Sequence, residues 1–79
     1  MKIYIGNLDE KIENSHLLEA FKDFGTVSSA RVIRDHFSGK SKGFGFIEMP
    51  DDEEAVKTIK NVNGATWEGK VISVKKAFK

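Results

Sequence analysis

Lys42-Gly43-Phe44-Gly45-Phe46-Ile47-Glu48-Met49 sets two large aromatics, a cation and an acid at alternate positions of one short segment. In an extended strand successive side chains point to opposite faces, so Phe44 and Phe46 share a face with Lys42 and Glu48. Gly43, Gly45, Ile47 and Met49 form the other face, which is small and apolar. A sheet covered on one side turns its apolar set inward and its charges toward water. The charged face is therefore the wet one, and two phenylalanines stand on it with no core to fill. Flat rings beside a lysine suit stacking against flat, unpaired bases, with the ammonium available to phosphate.

The elements that must position this segment fall into two similar halves. Lys2 to Gly6 alternates Ile3 and Ile5 with Lys2 and Tyr4, which predicts a strand with Tyr4 on its outer side. Asn7 to Glu13 is polar and reads as a connection. Asn14 is the expected N-cap of a helix carrying Leu17, Leu18, Phe21 and Phe24 on one face, stopped by Gly25. Val27 to Asp35 reads as a second strand, Ala30 and Val32 inward, Arg31 and Ile33 outward, and His36 to Ser41 as a polar turn.

The second half repeats the pattern. Pro50 ends the aromatic strand, and Asp51 caps a second helix with Glu54 as its expected reciprocal partner. The acids Asp51, Asp52, Glu53 and Glu54 suit the positive end of that helix better than an acidic partner site. Ala55, Val56, Ile59 and Val62 form its apolar stripe, and Gly64 its stop. Ala65 to Lys70 reads as a turn with a small hairpin at Glu68-Gly69. Val71 to Lys76 is the last strand, Ile72 and Val74 inward, Ser73 and Lys75 outward. Strand-helix-strand twice, with right-handed crossovers, predicts an α+β, ferredoxin-like βαββαβ fold: a four-stranded antiparallel sheet with two helices on one face.

Composition narrows the classes. Seventy-nine residues suffice for one domain, with an expected core over about 2–77. A chain 39% hydrophobic and 32% charged is an ordinary soluble globule, and no run approaches the length of a membrane span. The amino terminus leads straight into a strand pattern, so no secretory signal is expected. Without cysteine there are no disulfides, thiolate metal sites or cysteine nucleophiles, and a reducing, cytoplasmic setting fits. A net charge of +1 is too small to draw nucleic acid by itself, so stacking and local charge would have to do so.

Pairing of the first and third strands would join Tyr4 to Phe44 and Phe46 in a three-ring platform, with Lys2, Arg31, Lys42 and Lys75 around it. Ile33 would extend the platform toward the second strand. Arg31 has two readings, a phosphate contact or an ion pair with Glu48. Glu48 has two as well, accepting from a base amino group or standing as a solvated acid. Lys75, Lys76, Phe78 and Lys79 follow the last strand and could close over a bound strand. Asn7 reads as a turn residue capping its own backbone. His16 and His36 suggest no metal site.

Ile3-Tyr4-Ile5-Gly6-Asn7-Leu8 resembles the short ribonucleoprotein motif of the RNA recognition motif family, and Lys42 to Met49 resembles its long motif. Asn63-Gly64 and Gly69 to Val74 are similar to the family's closing segment, so the resemblance covers nearly the whole chain. It implies that Tyr4, Phe44 and Phe46 stack on bases or sugars and that Lys42 contacts a phosphate. Met49 stands where the motif has Phe or Tyr, and alternation turns it inward. Brevity and the Met ending resemble small single-domain bacterial proteins of the cyanobacterial type, although the glycine-rich tail of some relatives is missing. The expected function is binding of single-stranded RNA, and possible partners include single-stranded DNA, by a cytoplasmic monomer in post-transcriptional regulation. No cofactor, metal, membrane or small-molecule substrate is expected.

The residues also bear on two other classes of function. Some domains of this family bind peptides on the helix face through an Arg-x-Phe turn; here the turn is Ala65-Thr66-Trp67, without Arg, and Trp67 is expected to pack on the second helix. The same architecture hosts acylphosphatases and metal carriers. Asn7-Leu8-Asp9-Glu10-Lys11 offers no arginine-bearing phosphate cradle, and paired cysteines are absent, so a non-enzyme is expected.

Overall fold

Alternation makes β1 (Lys2–Gly6) a strand with one dry side: Ile3 and Ile5 are fully buried, while Lys2 and Tyr4 are half-buried. It is followed by α1 (Asn14–Phe21), a 3-10 turn (Lys22–Phe24), β2 (Ser29–Arg34), β3 (Ser41–Glu48) and α2 (Asp52–Val62). Three short strands close the chain, β4 (Thr66–Trp67), β5 (Lys70–Val71) and β6 (Ser73–Lys76). The structure is a computed structural model and describes residues 1–77. The expectation for Phe78 and Lys79 lies outside the described residues.

The main sheet is antiparallel throughout, in the order β2-β3-β1-β6. Its inner face (Ile3, Ile5, Val32, Ile47, Val74) joins Leu17 and Phe21 of α1 and Ala55 and Val62 of α2 in one buried cluster. Both helices therefore cover the same side, and the α+β, βαββαβ arrangement stands. Met49 is fully buried in this cluster, as its alternation requires. The last strand is shared between two sheets. Val71 pairs with Thr66 in the β4–β5 hairpin, and only Ser73–Lys76 enters the main sheet. Glu68 and Gly69 both take positive φ, 52° and 78°, as a tight two-residue hairpin turn demands.

Both helix stripes differ from a simple reading of apolar spacing. Leu17 and Phe21 are buried, but Leu18 and Phe24 are 40% and 44% exposed. The helix proper stops at Phe21, and the tighter 3-10 turn swings Phe24 off the stripe. On α2, Val56 is 45% exposed and Thr58 is buried in its place. The Thr58 hydroxyl donates to the Glu54 carbonyl at 2.8 Å, which makes its burial affordable.

The caps also differ. Glu13, not Asn14, is the N-cap of α1, and its backbone N–H donates to His16 Nδ1 at 2.9 Å. Asn14 instead accepts the Val32 N–H at 2.7 Å, and Asn63, the C-cap of α2, accepts the Val74 N–H at 2.9 Å. β2 and β6 are the two edges of the sheet, where outward N–H groups lack a ladder partner. Each edge thus gives one of these groups to an asparagine at a helix end. Asp51 caps α2 by accepting the Glu54 N–H at 3.0 Å, but the Glu54 carboxylate does not return to it. It accepts the Thr26 N–H at 3.0 Å, and a side chain at Gly25 would come within 2.6 Å of it. Gly25 is therefore required by close approach, since its φ of 161° is extended backbone.

β3 carries a bulge. Val32 pairs with Gly45 and Arg34 with Ser41, so Ile33 alone opposes Lys42, Gly43 and Phe44. Gly43 takes φ +84° there, and its carbonyl accepts the Leu8 N–H at 2.8 Å. Beyond the bulge the turn is tied by Asp35, whose carboxylate accepts the N–H groups of Phe37 at 2.8 Å and Ser38 at 2.9 Å. Arg34 donates to the Gly39 carbonyl at 3.2 Å.

Gly45→Ala is expected to destabilise the fold by about 1–3 kcal/mol, because a Cβ would strike the Arg31 carbonyl and Val32 backbone of β2. Urea unfolding measures this, and unchanged stability would show that β2 can move aside. The amides of Ser38, first, and Phe37 hold the Asp35 carboxyl below its ordinary value. A depressed folded-state value means the turn is ordered above the ordinary carboxylate range and loosens as pH falls through the lowered one. In an NMR acid titration the Phe37 and Ser38 amides should shift later than an unconstrained aspartate would; a titration at the ordinary value would contradict this.

Candidate nucleic-acid interface

Register brings the aromatics together. Tyr4 lies directly opposite Phe46 on β3, and Gly6 opposite Phe44. Phe44 and Phe46 are two apart on the same strand, so all three rings fall on the face opposite the helices. Ring centroids are 5.7 Å apart for Tyr4 and Phe44, 5.8 Å for Tyr4 and Phe46, and 6.0 Å for Phe44 and Phe46. The interplanar angles run from 31° to 87°, so the rings tile by tilted and edge contacts. All three are half-buried, because each covers part of its neighbour. Tyr4 leans along its strand across Gly6, where a Cβ would come within 2.5 Å of the phenol oxygen. Gly6 thus gives the ring room to lie along the sheet.

Cations sit on this platform. Lys75 opposes Tyr4 across β1 and β6, and its Nζ lies 5.4 Å from the Tyr4 ring centroid. Lys2 places its Nζ 4.6 Å from the Phe46 centroid. Arg31 lies opposite Phe46 on β2 and is exposed. Lys2, Arg31 and Ile33 line one open hollow of about 360 Å³ with Ser29, Phe46 and Glu48. Of the two readings of Arg31, the ion pair with Glu48 is not formed: among the described residues the ion pairs are Met1 with Asp52 and Lys22 with Glu19.

Lys42 stands apart. The bulge at Gly43 lies between Lys42 and Phe44. Lys42 lines a hollow of about 350 Å³ with Leu8, Asp9, Glu10, Lys11, Ser41, Gly43 and Lys70. Asn7 is a turn residue with φ 59°, but its side chain donates to the Val71 carbonyl at 2.7 Å and so fastens the hairpin to β1. Trp67 packs on the first helix, its ring centroid 6.3 Å from that of Phe21. It borders a hollow of about 410 Å³ with Lys11, Ile12, His16, Glu19, Ala20 and Glu68. The hairpin carries it there, a placement that helical spacing alone does not indicate.

One aromatic escaped the sequence reading. Phe37 is 95% exposed at the tip of the β2–β3 turn, with the His36 ring 5.3 Å away. A phenylalanine in an otherwise polar turn was the available signal. Among the described residues no group of His, Asp and Glu is arranged to hold a metal, and no helix is long and apolar enough to cross a membrane.

Comparison with known proteins bears on this geometry. The sequence pattern of the RNA recognition motif family matches residues 3–73. Over 68 residues the chain is 46% identical to the cytotoxic granule-associated RNA binding protein tiar-1 of Caenorhabditis elegans, covering 86% of this chain and 16% of that one. Over 77 residues it is 36% identical to the putative RNA-binding protein RbpA of Nostoc sp., covering 98% of this chain and 76% of that one. The crystal structure of RNA binding protein PG1 is similar with a TM-score of 0.97 at 38% identity, over 100% of this chain and 95% of that one. The chain thus spans a small fraction of the nematode protein but most of the Nostoc one. With the paired aromatic strands at the centre of its sheet and a family pattern across nearly all its length, the chain belongs to the RNA recognition motif family.

Proposed function

We propose that this chain binds single-stranded RNA across the open face of its sheet, splaying two or three bases over Tyr4, Phe44 and Phe46. The observation that carries the reading is three rings in mutual contact on a face no helix covers, with ammonium groups already upon two of them. The names of the nematode and Nostoc relatives, both RNA-binding, support it. Family membership makes this a binding domain and not an enzyme.

A base and an ammonium cannot share one ring face. Stacking on Phe46 or Tyr4 therefore displaces Lys2 or Lys75, and each released cation is within reach of the phosphate attached to the arriving base. Arg31 adds a third cation on the same face, and Ile33 an apolar edge. Lys42 would meet the strand beyond the bulge. Stacking by itself does not test for a 2′-hydroxyl, so single-stranded DNA is a second partner of the same surface. The working unit is one domain over about residues 2–77, acting as a cytoplasmic monomer in post-transcriptional regulation. The competing reading, a peptide in the hollow beside Trp67, draws on that hollow's size and half-buried tryptophan.

Replacing Phe44 and Phe46 together by Ala is expected to weaken RNA binding by about thirtyfold or more, since stacking contributes roughly 1–3 kcal/mol per base. Fluorescence anisotropy with short RNAs reads this while circular dichroism checks the fold. Wild-type affinity in a folded double variant would sink the reading. In an NMR titration, shifts confined to the surroundings of Trp67 would favour the peptide instead. Because few phosphates are held, the slope of log affinity against log salt should be shallow, about −1 to −3. A much steeper slope would place the binding energy in bulk charge.

A further inference from the structure

β1 and β3 set Lys2 directly opposite Glu48. Opposite charges in that position ordinarily pair across the strands. Here they do not: the Lys2 ammonium lies over the Phe46 ring, and no Lys2–Glu48 ion pair occurs among the described residues. The backbone beneath Glu48 is fixed, its carbonyl accepting the Ser28 N–H at 2.8 Å and the Ser28 hydroxyl at 3.2 Å. Its carboxylate is an exposed acceptor on the rim of the hollow beside Phe46 and accepts no hydrogen bond among the described residues. An acid there opposes phosphate. A carboxylate only accepts, so its complement on a base is a pair of adjacent donors.

We propose that the hollow between β1, β2 and β3 is a base-reading subsite in which Glu48 selects guanine. The inference rests on RNA binding by this face and deepens it. Guanine stacked on Phe46 turns N1–H and N2–H₂, two neighbouring donors, toward the carboxylate. Its O6 and N7 remain as acceptors, which a guanidinium recognises in bidentate fashion. Arg31 supplies one at the diagonal position, because Glu48 opposes Ser29 and Arg31 follows two residues later on the same face of β2. The hollow is therefore an acceptor on one side and a donor on the other, as guanine's edges are in reverse. Adenine and cytosine offer one amino group next to a ring-nitrogen acceptor. Uracil sets its single N3–H between two carbonyl oxygens, both facing the carboxylate. The order expected is guanine first and uracil last.

The test is fluorescence anisotropy with four short single-stranded RNAs, identical except for A, C, G or U at one central position. For the unaltered chain the guanine RNA should bind roughly tenfold more tightly than the uracil RNA. Glu48→Ala should narrow the spread of the four affinities to the share that Arg31 gives guanine, with affinity for the uracil RNA kept or raised because a negative charge is gone. Glu48→Gln should fall between, since its amide keeps one acceptor. Equal affinities of the unaltered chain for all four RNAs would overturn the selection while leaving RNA binding intact. A guanine preference undiminished in Glu48→Ala would overturn the role of Glu48. Failure of the unaltered chain to bind any of the RNAs would overturn the RNA-binding reading and this inference with it.

Discussion

One-sided burial governs this molecule. Ile3, Ile5, Val32, Ile47 and Val74 on the inner face need two helices above them, and both helices are used there. Met49 joins that core, and among the described residues no helix covers the other side of the sheet. A wet sheet face would ordinarily be polar. This one carries Tyr4, Phe44 and Phe46, which partly shield one another and are partly covered by lysines. Three half-buried rings thus meet at the centre of the sheet, where β1 and β3 lie side by side, with Lys2, Lys75 and Arg31 around them and Glu48 at one side.

Secondary devices fix the strands of that face. Asn14 and Asn63 each take an outward N–H of an edge strand, so the edges are partly satisfied by the helices that cover the core. Glu54 ties the segment before β2 to the start of α2 through the Thr26 amide. Gly6 leaves space for the Tyr4 ring, and Gly45 lets β2 and β3 approach. None of these groups touches the platform's outer surface, yet each fixes a strand that bears part of it. Rigid placement matters because a preformed surface loses less conformational entropy when it binds.

Much of this was legible in residue order. The alternation of Ile3 and Ile5 with Lys2 and Tyr4, and of Gly45, Ile47 and Met49 with Phe44 and Phe46, reports which side is dry, because strand period is fixed by backbone geometry. The double strand-helix-strand order and the motifs around Tyr4 and Phe44 then suffice for fold and family. The helix stripes were less legible. Leu18, Phe24 and Val56 look apolar enough to be buried, but which residues of a helix meet the sheet depends on how the helix is rotated and where it stops. Thr58 is buried because its hydroxyl can be satisfied by its own helix, which hydrophobicity does not report.

Residue order thus determined the strands, the dry face, the three-ring composition of the wet face and the family, since all follow from local period and spacing. Tertiary structure decided the rest. A bulge formed at Gly43, between Lys42 and the rings, the hairpin brought Trp67 to α1, and the Lys2 ammonium settled over the diagonal Phe46 ring and not on Glu48 directly opposite. These outcomes depend on which residues of different strands come opposite one another. That pairing is settled only when the whole sheet closes over one core, so no local period in the sequence can report it.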